Sequence, residues 1–293
     1  MIRYSINDLE KITGIKAHTI RIWEKRYEVV TPKRTPTNIR YYNDEDLLRL
    51  LNISTLNKHG FKISDIVSMS PDEMCEKIRD ISRTSTDFEG QINSLIVAMI
   101  ELKEEVFEKV LSSTILKIGF EKTVTQVLYP LLEKIGVLWQ IGTINPAQEH
   151  FLTNLIRQKM IVAIDGQNES PAADAKTFLL FLPEKEWHEL GLLFYSYLLK
   201  KSGQKVIYLG QNVPFKDVVE VVNIRKAEYL LTYFVSALPM KDIPEYIQNL
   251  SLSLAQKKIL ITGYQIHEID FKLPKNIHIL HTTEDLKQHL LSL

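Results

Sequence analysis

The sequence predicts a multidomain protein of the α and α/β classes, in which helical segments come first and a doubly wound sheet comes last. Its 293 residues exceed the size of one ordinary compact domain. Helical periodicity dominates as far as residue 164, whereas short apolar runs alternate with amphipathic segments from residue 176 onward. Polar joints separate these blocks near residues 83–87 and 165–171. The predicted domains are residues 1–76, 86–164 and 176–293.

Composition is that of an ordinary globular protein, since 45% of the residues are hydrophobic and 25% are charged. No apolar run approaches the roughly 20 residues that a membrane span requires, and the N-terminus lacks the apolar core of a secretory signal. A single cysteine, Cys75, excludes an intrachain disulfide framework and a Cys-rich metal site. We therefore expect a cytoplasmic protein without membrane contact.

The charge distribution points to a polyanionic partner for the N-terminal segment. The formal net charge is zero, but residues 1–40 hold nine Lys and Arg residues against four Asp and Glu residues. A basic head on an acidic remainder suits nucleic-acid binding, because phosphate neutralisation supplies most non-specific affinity.

Two short helices joined at Gly14 are predicted in this head. The second helix covers residues 18–26, with Trp23 on its buried face and the basic pair Arg21 and Lys25, at i and i+4, on its exposed face. Two such helices around a glycine turn, the second one basic, are typical of a helix-turn-helix.

A hairpin-like insert follows in residues 32–42, where Pro and Asn mark the tip and basic or aromatic residues flank it. This pattern predicts a small wing that contacts the DNA backbone. Asn43 then caps a third helix, whose first turn contains the acidic residues 44–46 that the helix dipole favours there.

These segments resemble the MerR-type winged helix. The matching elements are Tyr4-Ser5-Ile6 with Leu9, the run from Thr19 to Tyr27, and Arg40-Tyr41-Tyr42 before Asp44-Glu45-Asp46-Leu47. The resemblance implies that the second helix enters the major groove of a double-stranded DNA operator. The residues that it implies at the DNA are Thr19, Arg21, Lys25, Arg26, Arg34, Arg40 and Tyr41. One departure is Lys16, where the family usually has a small N-cap residue.

The C-terminal block predicts a doubly wound, flavodoxin-like parallel sheet, because strand and helix patterns alternate. The predicted strands are residues 176–183, 206–209, 229–234, 258–262 and 278–280. The predicted helices are residues 189–201, 215–225, 240–253 and 283–292. Ligands of such sheets bind at the carboxyl ends of the strands, near the point where the strand order reverses.

Chemically distinctive residues follow these strands. Glu186 and His188 come after the first strand, Ser236 after the third and Gly263 after the fourth. A histidine on a loop at the sheet edge is a good axial metal ligand, and a neighbouring carboxylate can orient its ring through the second nitrogen.

The set resembles the cobalamin-binding domains of methionine synthase-like proteins and mutases. The matching residues are Glu186, His188, Gly191, Ser236, Leu238 and Gly263. The resemblance implies that His188 is the lower ligand of cobalt, with Glu186 hydrogen-bonded to it.

For the displaced nucleotide tail of the cofactor, the same resemblance implies contact with Ser236 and room beside Gly191 and Gly263. Tyr264 stands where the family commonly has a second glycine, so its phenol would crowd the tail.

Residues 86–164 predict a four-helix bundle, with a kink at Pro130 in the third helical pattern. Asn145 and Pro146 are expected to open the fourth helix as N-cap and first-turn residue, with Gln148 at the capping-box position.

Trp139, followed after nine residues by Glu149-His150, resembles the helical cap of CarH- and LitR-like light-responsive regulators, whose domain order is the same. The resemblance implies that Trp139 lies over the upper face of the corrin beside an adenosyl ligand. It implies further that Glu149 binds polar groups of that ligand and that His150 adjoins it. Gln140 is a departure, because members that form a histidine adduct after photolysis have His there.

The leading hypothesis is a DNA-binding repressor, not an enzyme, whose homo-oligomeric state (dimer or tetramer) responds to adenosylcobalamin and light. A second hypothesis, motivated by Tyr264 and Gln140, is the same architecture without cofactor, controlled by an antagonist protein. A third is a corrinoid methyl carrier, against which the winged helix argues.

Overall fold

The computed structural model describes residues 4–35, 37–84, 88–140, 144–167, 171, 174–236, 238–267 and 271–291. The chain divides into two compact units, residues 1–155 (unit 1) and residues 156–293 (unit 2). No helix in the described ranges is long and apolar enough to cross a membrane.

Unit 1 begins with a winged helix-turn-helix, as the sequence predicts. Its elements are α1 (Ile6–Thr13), α2 (Ala17–Tyr27), β1 (Lys33–Arg34), β2 (Arg40–Tyr41) and α3 (Asp44–Lys58). The two short strands pair antiparallel and form the wing. Ser5 and Asp8 make a capping box on α1, and Gly14 ends that helix with a left-handed φ of 72°. Asn43 and Asp46 make the equivalent box on α3.

The start of α2 shows how the chain tolerates Lys16 at the N-cap. Lys16 makes no side-chain cap. Instead, the Glu10 carboxylate of α1 accepts a hydrogen bond from the Ala17 N–H at 2.9 Å and pairs with Lys16 Nζ at 3.1 Å. A residue of the preceding helix thus satisfies a backbone donor that an ordinary N-cap would bind.

Two phenol–carboxylate hydrogen bonds join the wing to the helices. Tyr4 pairs with Tyr42 through backbone hydrogen bonds, and its hydroxyl donates to Asp44 Oδ1 at 2.6 Å. The Tyr42 hydroxyl donates to Glu24 on α2. Because both tyrosines are fully buried, these bonds hold the wing at a fixed position beside α2.

The rest of unit 1 is helical, and its last helix continues into unit 2. The elements are α4 (Ile63–Val67), α5 (Pro71–Thr84), α6 (Glu89–Ile100), α7 (Glu104–Ile118), α8 (Phe120–Thr123), a π-helical turn (Val124–Leu128), α9 (Tyr129–Gln140) and α10 (Pro146–Asp165). The π-helical turn ends two residues before Pro130, whose missing N–H removes an i→i−4 hydrogen bond. Asn145 and Gln148 cap α10 as predicted, with bonds to the Ala147 and Asn145 N–H groups at 2.8 and 3.0 Å.

Unit 2 contains the predicted parallel sheet. Its strands are β3 (Thr177–Pro183), β4 (Lys205–Val213), β5 (Tyr229–Tyr233), β6 (Lys258–Thr262) and β7 (Ile277–Ile279). Its further helices are α11 (Leu190–Lys201), α12 (Phe215–Arg225), α13 (Ile243–Ser253), α14 (Tyr264–His267) and α15 (Thr283–Leu291). The strand order is β4-β3-β5-β6-β7, which is the flavodoxin-like order. The order reverses between β3 and β5, so their carboxyl ends flank the switch point.

The loops after β5 and β6 are fastened together by backbone contacts. The Phe234 N–H donates to the Thr262 carbonyl at 2.9 Å, and the Gln265 N–H donates to the Phe234 carbonyl at 3.2 Å. Gly263 has a φ of 110°, and a Cβ built on it would lie 2.2 Å from the Phe234 oxygen. Only glycine therefore fits between these two loops.

We expect Gly263→Ala to lower the free energy of unfolding of unit 2 by about 3 kcal/mol, because it combines a positive φ with backbone overlap. Gly210→Ala is the matched control. Gly210 also has a positive φ, 81°, but its added Cβ would meet only the Tyr208 ring edge at 3.4 Å. Its cost should be about 1 kcal/mol. Urea denaturation followed by circular dichroism measures both, and equal losses would contradict the backbone-overlap explanation.

Candidate functional site

A buried carboxylate organises the loops at the switch point. Glu186, in the loop after β3, is 0% exposed. Its Oε1 accepts the backbone N–H groups of Trp187 and His188 at 3.0 and 3.1 Å. Its Oε2 accepts those of Val235 and Ser236, in the loop after β5, at 2.9 and 2.8 Å. One side chain therefore ties together the two loops on either side of the reversal in strand order.

The same carboxylate orients His188. The His188 Nδ1 lies 2.6 Å from Glu186 Oε1 and 3.3 Å from Ser236 Oγ. Since a carboxylate only accepts, Nδ1 is the donor in this pair, and in the neutral form of a ring so oriented the lone pair is on Nε2. The His188 side chain is 55% exposed. This is the carboxylate–histidine arrangement that proteins use to hold a metal ligand in one tautomer and one orientation.

The charge state of Glu186 follows from two opposing effects. Burial alone would raise its pKa, but hydrogen bonds from the His188 side chain and from the backbone of Ser236, Val235 and His188 outweigh burial and lower the pKa to about 2. Glu186 is therefore ionised at neutral pH, and its negative charge favours a cation bound by His188.

A second buried carboxylate, which the sequence did not predict to have a role, follows the histidine directly. Glu189 is 6% exposed and accepts hydrogen bonds from Arg157 on α10 and from the Tyr208 hydroxyl on β4 at 3.0 Å. Burial and the Glu189 charge raise the pKa of Tyr208. These contacts anchor the loop that carries His188 to two other elements of unit 2. In the sequence, a role for Glu189 is indicated by its position directly before the apolar run 190–199. Nothing in the sequence indicates a role for Arg157.

The two glycines of the predicted site both lie against residues of the β5 end. A Cβ added to Gly191, in the first turn of α11, would lie 2.6 Å from the Tyr233 ring, and Gly263 lies against the Phe234 backbone. Leu238 is partly buried, and its carbonyl accepts from Gln265 Nε2 at 2.6 Å. Tyr264 is 68% exposed. The structure therefore brings the Glu186, His188 and Ser236 side chains together, while the two glycines lie among well-packed neighbours.

Whether this donor set suits cobalt in a corrin depends on what the protein must supply. No group of three or more His, Cys, Asp or Glu side chains able to hold a metal occurs in the described part of the chain. A corrin brings its own ring nitrogens and needs a single axial ligand from the protein, which an oriented His188 fits.

The predicted cap residues belong to unit 1. Trp139 is in the last turn of α9, and its side chain is 48% exposed. Glu149 and His150 lie in the first turn of α10, where Glu149 is partly buried and His150 is exposed. An exposed tryptophan of this kind offers a flat apolar face.

The predicted DNA-contacting residues lie on α2 and on the wing. The side chains of Arg21, Lys25, Arg26, Arg34 and Arg40 are exposed, and those of Thr19 and Tyr41 are partly buried. Arg21, Lys25 and Arg40 line one open depression between α2 and the wing. Arg26 instead stacks on the Tyr27 ring, with 5.3 Å from its Cζ to the ring centroid, and Arg34 donates to Asn38 Oδ1 at 2.6 Å.

Comparison with known protein families supports the assignment of the N-terminal winged helix-turn-helix. The family model of the MerR HTH family regulatory proteins matches residues 4–72. The chain belongs to the MerR family. A model described as a B12 binding domain matches residues 91–163 of this MerR-family chain, which are the helices from α6 into α10. The chain is therefore a transcriptional regulator with a MerR HTH domain and a B12 binding domain, which confirms the predicted combination of the two. The matched B12 residues are those of the predicted helical cap, and the assignment of residues 176–293 as a cobalamin-binding domain stays a prediction.

Two relatives align with the chain over most of their own length. The chain is 26% identical to the HTH-type transcriptional repressor CarH of Myxococcus xanthus, over 86% of this chain and 85% of the relative. It is 24% identical to the repressor CarA of the same organism, over 90% and 87%. The monomethylamine corrinoid protein of Methanosarcina barkeri aligns over 70% of this chain and 100% of its own with a TM-score of 0.55 and 17% identity. That last likeness shows the fold.

We expect Glu186 to make stability depend on acid pH. Its folded pKa of about 2 lies below the ordinary value of 4.5, so its stabilisation is complete above about pH 4.5 and is lost as the pH falls toward 2. Glu186→Gln should cost about 3 kcal/mol at pH 6, and this difference from the native chain should shrink as the pH falls.

Urea denaturation across this pH range measures the difference. Glu245→Gln, at an exposed carboxylate on α13, is the control and should follow the native chain. A pH-independent loss in Glu186→Gln would contradict the charged, hydrogen-bonded state assigned to this carboxylate.

Proposed function

We propose that the chain is a repressor whose DNA affinity is controlled by adenosylcobalamin and light through a change of oligomeric state. The observation that carries the proposal is the Glu186–His188 pair at the switch point, where Nδ1 of the ring lies 2.6 Å from the Glu186 carboxylate. The similarity to CarH and CarA, two proteins named as repressors, supports it over most of the chain.

In this proposal residues 176–293 are the cobalamin-binding domain, and residues 86–164 supply the predicted cap residues. His188 ligates cobalt, Glu186 keeps the Nδ1 proton in place, and Ser236 orients the same nitrogen from 3.3 Å. When bound, adenosylcobalamin supplies a cobalt–carbon bond that light can break.

Residues of unit 1 would also help to hold the cofactor. Trp139 would pack on the ring system through its exposed indole, Glu149 would bind polar groups of the adenosyl ligand, and His150 would adjoin it. Gln140 stands where the resembling regulators have a histidine, so another side chain would be needed for the role of that histidine.

Control of the DNA-binding head follows from linkage. A ligand shifts an assembly equilibrium only by its differential affinity for the two states. A cofactor with higher affinity for one assembly favours the homo-oligomer, either a dimer or a tetramer, that presents several winged helices to one operator. Simultaneous engagement of those heads raises affinity for DNA without any new contact in each head.

Within residues 1–76 the DNA contacts fall into two groups. Residues of α2 enter the major groove, where Arg21 and Arg26 meet base edges or phosphates. Residues of the wing hold the backbone. The full set proposed at the DNA is Thr19, Arg21, Lys25, Arg26, Arg34, Arg40 and Tyr41.

We expect Arg21→Ala and Arg40→Ala each to weaken binding of a mixed-sequence DNA duplex by about fivefold near 0.1 M salt. Each should reduce the slope of log affinity against log salt concentration by about 1, because each removes one phosphate contact. Fluorescence anisotropy over a salt series measures both quantities. Lys216→Ala, which removes an exposed charge on α12, should leave affinity and slope unchanged, and an unchanged slope in the arginine variants would rule out these contacts.

The cofactor half of the proposal is tested by reconstitution with adenosylcobalamin in the dark. The native chain should retain the corrinoid through gel filtration, and His188→Ala should bind it at least about tenfold more weakly, because the axial ligand is lost. His278→Ala, at an exposed histidine on β7, should behave as the native chain.

Illumination of the reconstituted protein then tests whether light controls the oligomeric state. The absorbance spectrum should change and the oligomer should dissociate, as read by sedimentation. Absence of bound corrinoid would refute cofactor control, and a spectrum and sedimentation coefficient insensitive to light would refute light control alone.

An alternative is favoured by the exposed aromatic residues near the switch point. Trp187 is 59% exposed and Tyr264 is 68% exposed, which suits contact with an antagonist protein in the absence of cofactor. In that case His188→Ala would retain full regulation of DNA binding, whereas Trp187→Ala would lose it.

A further inference from the structure

The space beside Gly191 is filled by a side chain of the protein itself. Tyr233 is the last residue of β5, and its ring lies against the first turn of α11. A Cβ built on Gly191 would be 2.6 Å from the ring atoms Cε2 and Cζ and 3.1 Å from Cδ2. Glycine is therefore needed at this position so that the tyrosine ring can pack on the helix backbone.

A second tyrosine continues this packing along α11. Tyr195, one helical turn after Gly191, is 3% exposed, and its ring centroid lies 6.2 Å from that of Tyr233. Its hydroxyl lies 3.5 Å from Thr262 Oγ1 at the end of β6. The two rings thus occupy the gap between α11 and the ends of β5 and β6.

The neighbours of the two site glycines differ in how easily they can move. At Gly263 the neighbour is the Phe234 backbone, which is fixed by hydrogen bonds to Thr262 and Gln265. At Gly191 the neighbour is the Tyr233 side chain, which is partly exposed and can turn outward about χ1. A bulky group can therefore reach the gap only if Tyr233 moves.

We propose that the Tyr233 ring fills the space beside Gly191 that the nucleotide tail of a cobalamin would otherwise occupy. We call this ring the plug. The site then accepts a corrin ring but disfavours a nucleotide tail seated beside Gly191. The inference rests on the proposed function, because it concerns how that cofactor is held. The metal-binding half of the site is independent of the plug, since His188 is oriented by Glu186 and Ser236 and not by Tyr233.

The plug has a quantitative consequence for affinity. When the binding-competent conformation is a minor one, the apparent affinity falls by the fraction of molecules that adopt it. A corrinoid with a seated tail would bear this loss, because it requires the outward position of Tyr233. Cobinamide, which lacks the nucleotide, would not.

The test is a titration of the full chain in the dark with adenosylcobalamin and, separately, with adenosylcobinamide, each followed by absorbance. We expect the native chain to bind adenosylcobinamide at least as tightly as adenosylcobalamin. Tyr233→Ala should bind adenosylcobalamin about tenfold more tightly than the native chain and leave the affinity for adenosylcobinamide nearly unchanged. Tyr233→Phe keeps the ring and should match the native chain in both titrations.

Tyr233→Leu retains apolar volume without the ring and gives the same comparison where the alanine variant fails to fold, as judged by circular dichroism. A native chain that prefers adenosylcobalamin by about tenfold or more overturns the plug and leaves cobalamin binding intact. Failure of the native chain and of every Tyr233 variant to bind either corrinoid overturns the proposed function together with the plug.

Discussion

The functional end of the sheet depends on one buried charge. Glu186 lies where β3 and β5 diverge, and a carboxylate there would be costly to bury without partners. Backbone N–H groups from both neighbouring loops, together with the His188 ring, supply those partners. The result is that two loops, which parallel-strand topology merely brings near one another, acquire a fixed relative position. Orientation of His188 is thus a consequence of satisfying the carboxylate, so the histidine is held in place before any ligand arrives.

Carboxylates that accept hydrogen bonds from neighbouring elements also occur in the DNA-binding head, where they position the elements that carry the exposed Arg and Lys side chains. Glu24 accepts from the Tyr42 hydroxyl, and Glu10 accepts the N–H at the start of α2. Further along unit 1, Asn93 on α6 donates to Thr55 on α3 at 3.0 Å, and Lys58 pairs with Glu89. Inner carboxylates and amides hold the scaffold, which leaves arginines and lysines on the outer faces of α2 and the wing. A chain with a net charge of zero can therefore use its acidic side chains inside the scaffold and keep its basic side chains exposed on α2 and the wing.

The sequence predicted most of the fold because its signals are local. Strand β6 and helix α12 were predicted at their observed bounds, and the Asn145–Gln148 cap was read directly from spacing. The Glu186–His188 hydrogen bond was expected from the resemblance to cobalamin-binding domains, whereas the approach of Ser236 to His188 was not. The Arg157–Glu189 pair and the packing of Tyr233 on Gly191 were not, because each joins residues far apart in the chain with no fixed spacing between them. The extension of β4 to Val213 was missed for a related reason, as its polar end follows a shift in register against β3.

The two glycines show that a sequence motif predicts the backbone conformation more reliably than it predicts the ligand. A glycine can be required because a ligand approaches the backbone or because the protein itself does, and the sequence looks the same in both cases. At Gly263 the neighbour is backbone, and at Gly191 it is an aromatic ring. The histidine half of the motif is different, because its geometry depends on charge and hydrogen bonds that the motif residues themselves provide. Metal ligation and tail binding are therefore separable properties of one sequence pattern, and a chain can keep the first while its own side chains determine the second.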